Sequence, residues 1–192
     1  MPVRERRYLP AASLDSLLPA YDPIMRMLGF TRALVSLVAQ AELRPGYAVL
    51  DVGCGTGTLA ILIAQTHQGV SLIGVDPDPK ALSRAARKVA RAGLAVRFDR
   101  GFGDALPYPD GSFDRVFSSM MFHHVPKDEK PRVLADIRRV LRPGGRLEFL
   151  DFPRGTHDLL LQRMREAGFT DARLIGRRVT IAGAIAYCQA TA

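Results

Sequence analysis

Glycines recur at positions 53, 55 and 57, directly after the apolar run 47–52, in the stretch Asp51-Val52-Gly53-Cys54-Gly55-Thr56-Gly57. Glycine tolerates positive φ and puts no side chain between backbone and ligand, so such a loop can press bare N–H groups against a bound molecule. A dinucleotide fold usually spaces its glycines G-x-G-x-x-G, the last one letting helix and strand close around a pyrophosphate. Here the spacing is G-x-G-x-G and Thr58 stands where that last glycine would be. The loop therefore approaches something small rather than a diphosphate. Asp76 closes the next apolar run, 70–75, nineteen positions after Gly57. A carboxylate there can accept both hydroxyls of a ribose, each charge-assisted bond contributing about 1.5–3 kcal/mol. The competing use of Asp76 is to cap the turn into Pro77.

Phe122-His123-His124 follows shortly after a further strand candidate, 113–119. An imidazole suits proton removal near neutral pH, which makes His123 or His124 a candidate base. The alternative is that one histidine caps or fills the loop while the other is exposed. Neighbouring loop residues rarely aim at one point, so no metal is expected between them. Cys54 and Cys188 are far apart in sequence and in no metal-ligand spacing, which reads as a reducing compartment, the cytoplasm. Small size alone explains Cys54 in the loop.

These residues need a scaffold, and the chain alternates strand and helix. Asp22-Pro23 reads as an N-cap with proline at the first helical position. Ile24, Met27, Leu28, Leu34, Leu37, Val38 and Ala41 follow at helical spacing until Pro45-Gly46. Residues 47–52 and 70–75 are nearly uncharged, as strands buried on both faces should be. Asp78-Pro79 repeats the cap-plus-proline signal before a helix to about Ala92. Strands are expected at 94–98, 113–119 and 146–152, and helices at 127–141 and 158–167, the former stopped by Arg142-Pro143-Gly144-Gly145. Two last strands, 172–175 and 179–188, flank Gly176-Arg177 with no room for a helix between them, so they form an antiparallel hairpin. The expected fold is α/β: a Rossmann-like, doubly wound, mostly parallel sheet with a C-terminal antiparallel hairpin. One domain is expected over 1–192, with 1–44 a helical segment that is a candidate substrate cover and 45–192 the core.

The segments VLDVGCGTG (49–57), GVDPDP (74–79), LPYPDGSFD (106–114) and LRPGG (141–145) resemble, in order and spacing, the motif series of class I S-adenosylmethionine (SAM)-dependent methyltransferases. The likeness runs over about 45–152 and is nearest to the small bacterial group similar to ubiquinone/menaquinone-biosynthesis C-methyltransferases. The resemblance implies SAM as cofactor. Gly53, Cys54, Gly55, Thr56 and Gly57 would lie along its methionine part, with Asp51 supporting the loop and the cationic amino group. Asp76, followed by Pro77, would hold the ribose. The family's adenine-binding polar residue falls on Phe102, so either Phe102 packs on adenine or Asp104 takes over, with Gly103 offering its backbone N–H. Ser119 matches a position that touches the cofactor through its backbone.

The acceptor is not written in these motifs. Only about five residues separate the strand ending at 152 from the helix starting at 158, too few for the lid some relatives build there. A cover must come from residues 1–30, from a second subunit, or from the substrate itself. Tyr8, Leu17, Leu18, Tyr21 and Phe30 point to the N-terminal segment, although packing the first helix on the sheet would use them too. An open, apolar-rimmed site suits a hydrophobic small molecule or lipid-like acceptor. The net charge is +8 and mostly arginine. It admits nucleic acid or anionic lipid, but scattered solvated positions explain it as well, and no aromatic residues interleave with it as single-strand binding would want. Nucleic acid is therefore disfavoured as a partner, no segment is long and apolar enough to span a bilayer, and a homodimer or contact with a membrane surface stays compatible. The competing functions are a nucleic-acid or protein methyltransferase and a catalytically silent SAM- or nucleotide-binding protein. Ser118-Ser119-Met120-Met121 lacks the Asn/Asp-Pro-Pro-aromatic motif of base N-methylases, and the glycine spacing disfavours an oxidoreductase.

Overall fold

In the computed structural model, which describes residues 18–152 and 157–192, the order of elements is α1 (Leu18–Met27), α2 (Phe30–Gln40), β1 (Ala48–Val52), α3 (Thr58–Thr66), β2 (Ser71–Asp76), α4 (Pro79–Arg91), β3 (Arg97–Arg100), β4 (Phe113–Ser119), α5 (Lys130–Val140), β5 (Leu141–Asp151), α6 (His157–Glu166), β6 (Thr170–Thr180) and β7 (Gly183–Thr191). The strands make one sheet in the order β3-β2-β1-β4-β5-β7-β6. β1 to β5 run parallel, and β7 pairs antiparallel with both β5 and β6. The expected mostly parallel sheet with a terminal hairpin is thus present. Strand order reverses between β1 and β4, and in such sheets the crevice for a ligand opens beyond the carboxyl ends of those two strands.

Successive strand residues point to opposite faces, which divides the core in two. Leu50, Val116 and Phe149 pack with Leu134 and Ile137 of α5 on one side. Val49, Phe117 and Leu150 pack with Leu34 and Leu37 of α2 and Ile63 of α3 on the other. All are buried. A strand covered on both faces needs apolar side chains at successive positions, which is why the runs of β1 and β2 are legible in the sequence.

Several boundaries differ from expectation, each for a local reason. Asp22-Pro23 does not cap a helix; it lies inside α1, where the Asp22 side chain reaches the glycine loop instead. The expected continuous helix is broken at Gly29, whose φ of 89° ends α1 and opens α2. Leu94 does not begin a strand. Its N–H bonds the carbonyl of Val89 while Gly93 takes φ 63°, so it closes α4, and β3 starts only at Arg97. The Asp78 cap is as expected, its side chain accepting from the Lys80 N–H at 2.8 Å. The hairpin turns at Ile181-Ala182, not at Gly176-Arg177, since Thr180 pairs with Gly183. Gly176 marks a register shift inside β6, where Leu174 and Gly176 face the consecutive residues Cys188 and Tyr187.

At the amino ends of the strands, Arg115 and Arg146 both donate to the carbonyl of Ala41, which closes the carboxyl end of α2. Arg146 also meets the buried Glu148, whose carboxylate accepts from Gln189. Burial pushes Glu148 up to about 7 against the opposing bonds from Gln189 and Arg146.

Candidate active site

The loop after β1 is folded around the end of β2. Gly53 and Cys54 both donate to the carbonyl of Val75, at 2.8 and 3.1 Å, and Gly57 turns back to Cys54. Gly53, Gly55 and Gly57 have φ of 73°, 51° and 75°, a region costly to any residue with a Cβ. The N–H of Gly55 donates to Asp76 Oδ2 at 2.8 Å, and that of Asp78 to Asp76 Oδ1 at 2.9 Å. Asp76 therefore caps the turn at Pro77 and faces the glycine crevice at once; the two uses considered for it do not exclude each other.

A cavity of about 200 Å³ opens at this point. Asp51, Gly53, Cys54, Gly55, Thr56, Asp76, Pro77, Phe102, Gly103, Asp104, Ser119 and His124 all line it. Gly57 does not. A Cβ at Gly57 would stand 2.8 Å from that of Ala85, so this glycine serves the close packing of α3 on α4. Asp104 is turned toward Arg132, 3.6 Å away, while Phe102 bridges back to Ala105; both reach the cavity wall. Cys54 is free and buried, its thiol pushed well up by burial and by the Asp51 and Asp76 carboxylates, so no thiolate is on offer.

Asp51 is 1 % exposed, and its Oδ2 has no hydrogen-bond partner among the described residues. Burial, then the neighbouring Asp76, push it up to about 7. Burial likewise raises Asp76 to about 6, against the bonds from Asp78 and Gly55. Two carboxyls desolvated side by side call for a cation. A ligand carrying an ammonium and a sulfonium beside a ribose supplies the missing charge and occupies the orphaned oxygen, so these residues fit SAM.

The sign of the pH dependence follows. Both pKa values lie above those of the unfolded chain, so the folded protein holds more protons between about pH 4 and 7, and these groups cost stability as pH rises through that window. Ionising Glu148 acts in the same direction. SAM favours the ionised carboxylates, so the rise in Tm that it produces should be larger at pH 8 than at pH 5. Thermal melts with and without SAM at the two pH values check this; an equal or smaller rise at pH 8 would separate the carboxyls from the ligand.

Two carboxylates not anticipated as site residues complete the region. Asp22 on α1 accepts from Thr56 Oγ1 at 2.5 Å, Thr58 Oγ1 at 3.0 Å and Lys88 Nζ at 2.9 Å. The same ammonium donates to the carbonyl of Thr56 at 2.9 Å. Burial opposes ionisation of Asp22, but the bonds from Thr56 and Lys88 hold it below its ordinary value. The N-terminal helix is thereby tied to the glycine loop and to α4. Asp151, at the carboxyl end of β5, accepts from the His123 backbone N–H at 2.9 Å, and its Oδ1 lies 2.5 Å from His123 Nδ1. Its placement at a strand end, like that of Asp76, was the available signal. His123 is not on the cavity wall; its ring lies 4.0 Å from that of His124, which is.

The cavity also has apolar lining: Met25 of α1, Phe30 and Leu34 of α2, and Met120 and Met121 after β4. Tyr8 and Leu17 lie outside the described residues, as do the side chains of Leu18 and Tyr21. Among the described residues, no helix is long and apolar enough to cross a membrane.

The family described as methyltransferase domain matches residues 49–145. The chain is 38 % identical over 142 residues to a demethylmenaquinone methyltransferase of Thermus thermophilus, covering 70 % of this chain and 62 % of the relative. It is also 38 % identical over 145 residues to a 27-O-demethylrifamycin SV methyltransferase of Amycolatopsis mediterranei, covering 72 % and 52 %. The chain thus spans somewhat over half the length of these relatives. A SAM-dependent methyltransferase structure from Aquifex aeolicus shares the fold, with a TM-score of 0.74 at 20 % identity, over 92 % of this chain and 98 % of that one.

Proposed function

We propose, from the premise that the chain belongs to the class I SAM-dependent methyltransferase family, that it transfers a methyl group to an apolar, quinone-like or lipid-like small molecule. The observation carrying this is the mixed lining of one cavity, in which carboxylates and bare glycine backbone share the wall with Met25, Phe30, Leu34, Met120 and Met121. SAM supplies a methyl already activated on a sulfonium. Gly53, Cys54, Gly55 and Thr56 would carry its methionine part, Asp51 its ammonium, and Asp76 its ribose. Gly103 with Phe102 or Asp104 would take the adenine, and Ser119 would touch the cofactor beside β4. Holding acceptor and methyl in line within a dry cleft is the protein's main task, worth effective molarities of roughly 10⁵–10⁸ M. We read residues 1–44 as the cover of that cleft, within one domain over 1–192, and the cytoplasm as its setting. The relatives named after demethylmenaquinone and 27-O-demethylrifamycin SV support an acceptor of this character.

An acceptor that must shed a proton needs a base. The Asp151 carboxylate beside Nδ1 of His123 would hold the ring's proton there and leave Nε2 to accept; the neighbouring His124 ring, tilted 40° to it, is the one on the cavity wall. Labelled SAM with demethylmenaquinone tests the acceptor class: methylated product is expected, and none with any apolar quinol or phenol overturns it. On an accepted substrate, Asp151→Asn should lower kcat about 10²–10⁴-fold, the range for general acid–base catalysis, with SAM affinity unchanged. An unchanged kcat would remove the His123–Asp151 pair from the chemistry.

A further inference from the structure

β5 rises to the crevice, β7 descends from it and β6 climbs back, so the β6–β7 turn lies at the same end of the sheet as the cavity. The contacts agree: a Cβ on Gly183 would meet the Phe152 ring at 3.7 Å, and Phe152 packs edge-on against Phe30 of the cavity wall, with centroids 6.0 Å apart. This rim carries the most exposed large apolar side chains of the described residues: Val179 at 84 %, Ile181 at 80 % and Met27 at 74 %. Ile24 and Val35, on α1 and α2, are exposed as well.

Charge is segregated to the same segments. Residues 23–41 and 172–192 contain no aspartate or glutamate, in a chain that has 19 acids, and carry Arg26, Arg32, Arg177 and Arg178; Arg173 is held by Gln189 at the other end of β6, away from the rim. Arg26 and Arg32 are exposed beside the mouth. Arg178 reaches Ser36 of α2, which joins the hairpin to the helices. Asp158, exposed, stands 3.9 Å from the His157 ring, and Arg177 donates to that same ring.

We propose that this rim docks on an anionic lipid surface, with Val179, Ile181 and Met27 entering the headgroup layer and the arginines pairing with lipid phosphates. Protruding aliphatic side chains ringed by arginine suit a membrane interface, where apolar burial and charge attraction add. A nucleic acid would use the arginines but leave the aliphatic side chains in water. A second copy of the chain would bring the same positive charge against itself. The docked orientation places the apolar wall of the cavity against the bilayer, so an apolar acceptor passes in without crossing water. In this last respect the inference rests on the proposed acceptor class; the docking itself does not.

The test is co-sedimentation of the full chain with phosphatidylcholine vesicles containing or lacking phosphatidylglycerol, at low and high salt. Expected is binding that requires phosphatidylglycerol, weakens at high salt, and falls at least tenfold in Val179→Asp/Ile181→Asp. SAM affinity of that variant, measured by calorimetry, should equal that of the parent and so report an intact fold. Should the variant misfold, Arg32→Glu/Arg177→Glu carries the same expectation. No binding to the charged vesicles overturns the proposal. So does equal binding in the variants, binding to a single-stranded oligonucleotide in place of vesicles, or a dimer in solution that the hairpin substitution dissociates. Vesicle binding without methylation of any apolar acceptor would leave the docking surface standing and remove the acceptor class instead.

Discussion

Asp76→Ala should weaken SAM binding about thirty- to a hundredfold. The carboxylate would accept from the ribose, and losing such charge-assisted bonds costs about 2–2.8 kcal/mol at about 1.4 kcal/mol per tenfold. The substitution does more, because Asp76 also receives the N–H groups of Gly55 and Asp78 at 2.8 and 2.9 Å. Both donors would be left unpaired in a buried loop, at about 1–3 kcal/mol each. The variant should therefore melt below the parent as well as bind SAM poorly. Asp76→Asn, which keeps one oxygen, should fall between the two. Calorimetry with SAM gives the affinities and a melt gives the stability. A lower Tm with unchanged affinity would reduce Asp76 to a loop cap.

Gly53→Ala should be more damaging still, with SAM affinity lowered beyond a hundredfold. A Cβ at this position would stand 2.2 Å from Met121 Cγ and 2.6 Å from its Cβ, on a residue whose φ is 73°. Left-handed backbone costs a non-glycine residue roughly 1–2 kcal/mol, and here either Met121 or the loop must also move, both of which line the cavity. Gly93→Ala is the control. Its φ is 63° but nothing lies within 4 Å of the added carbon, so it carries the backbone strain alone, away from the cavity. It should lower Tm while leaving SAM binding intact. Equal effects of the two substitutions on SAM affinity would mean that the approach of backbone to ligand at Gly53 is not what matters.

The parts of this site that were legible in the sequence are those held by short stretches of chain. The run ending at Asp51, the glycines after it and the acid ending β2 are each local, and parallel strands place their carboxyl ends side by side. β4 spans the residues expected of it, 113–119, although Asp114, Arg115, Ser118 and Ser119 interrupt its apolar positions. Asp22 is ambiguous in the sequence because Asp-Pro is also the signature of a helix start. Its real partners, Thr56, Thr58 and Lys88, are 34, 36 and 66 residues away, and nothing local announces a contact of that range. His123 was singled out, but its tie to Asp151 spans 28 residues and depends on β4 and β5 being neighbours. The hairpin turn was displaced because a glycine that accommodates a register shift in an edge strand looks, in sequence, like one that turns the chain. Leu94 illustrates the same ambiguity, an apolar residue serving a helix end rather than opening a strand.

Cofactor binding at this site rests on Asp51 and Asp76, two desolvated carboxyls beside bare glycine backbone, meeting a cationic nucleoside. Titration calorimetry of the unaltered chain with SAM, with NADH as the comparison ligand, addresses that meeting directly. Expected is one SAM bound per chain, with proton release near pH 6 as the carboxyls ionise, and no heat from NADH. Binding of NADH with none of SAM would contradict it.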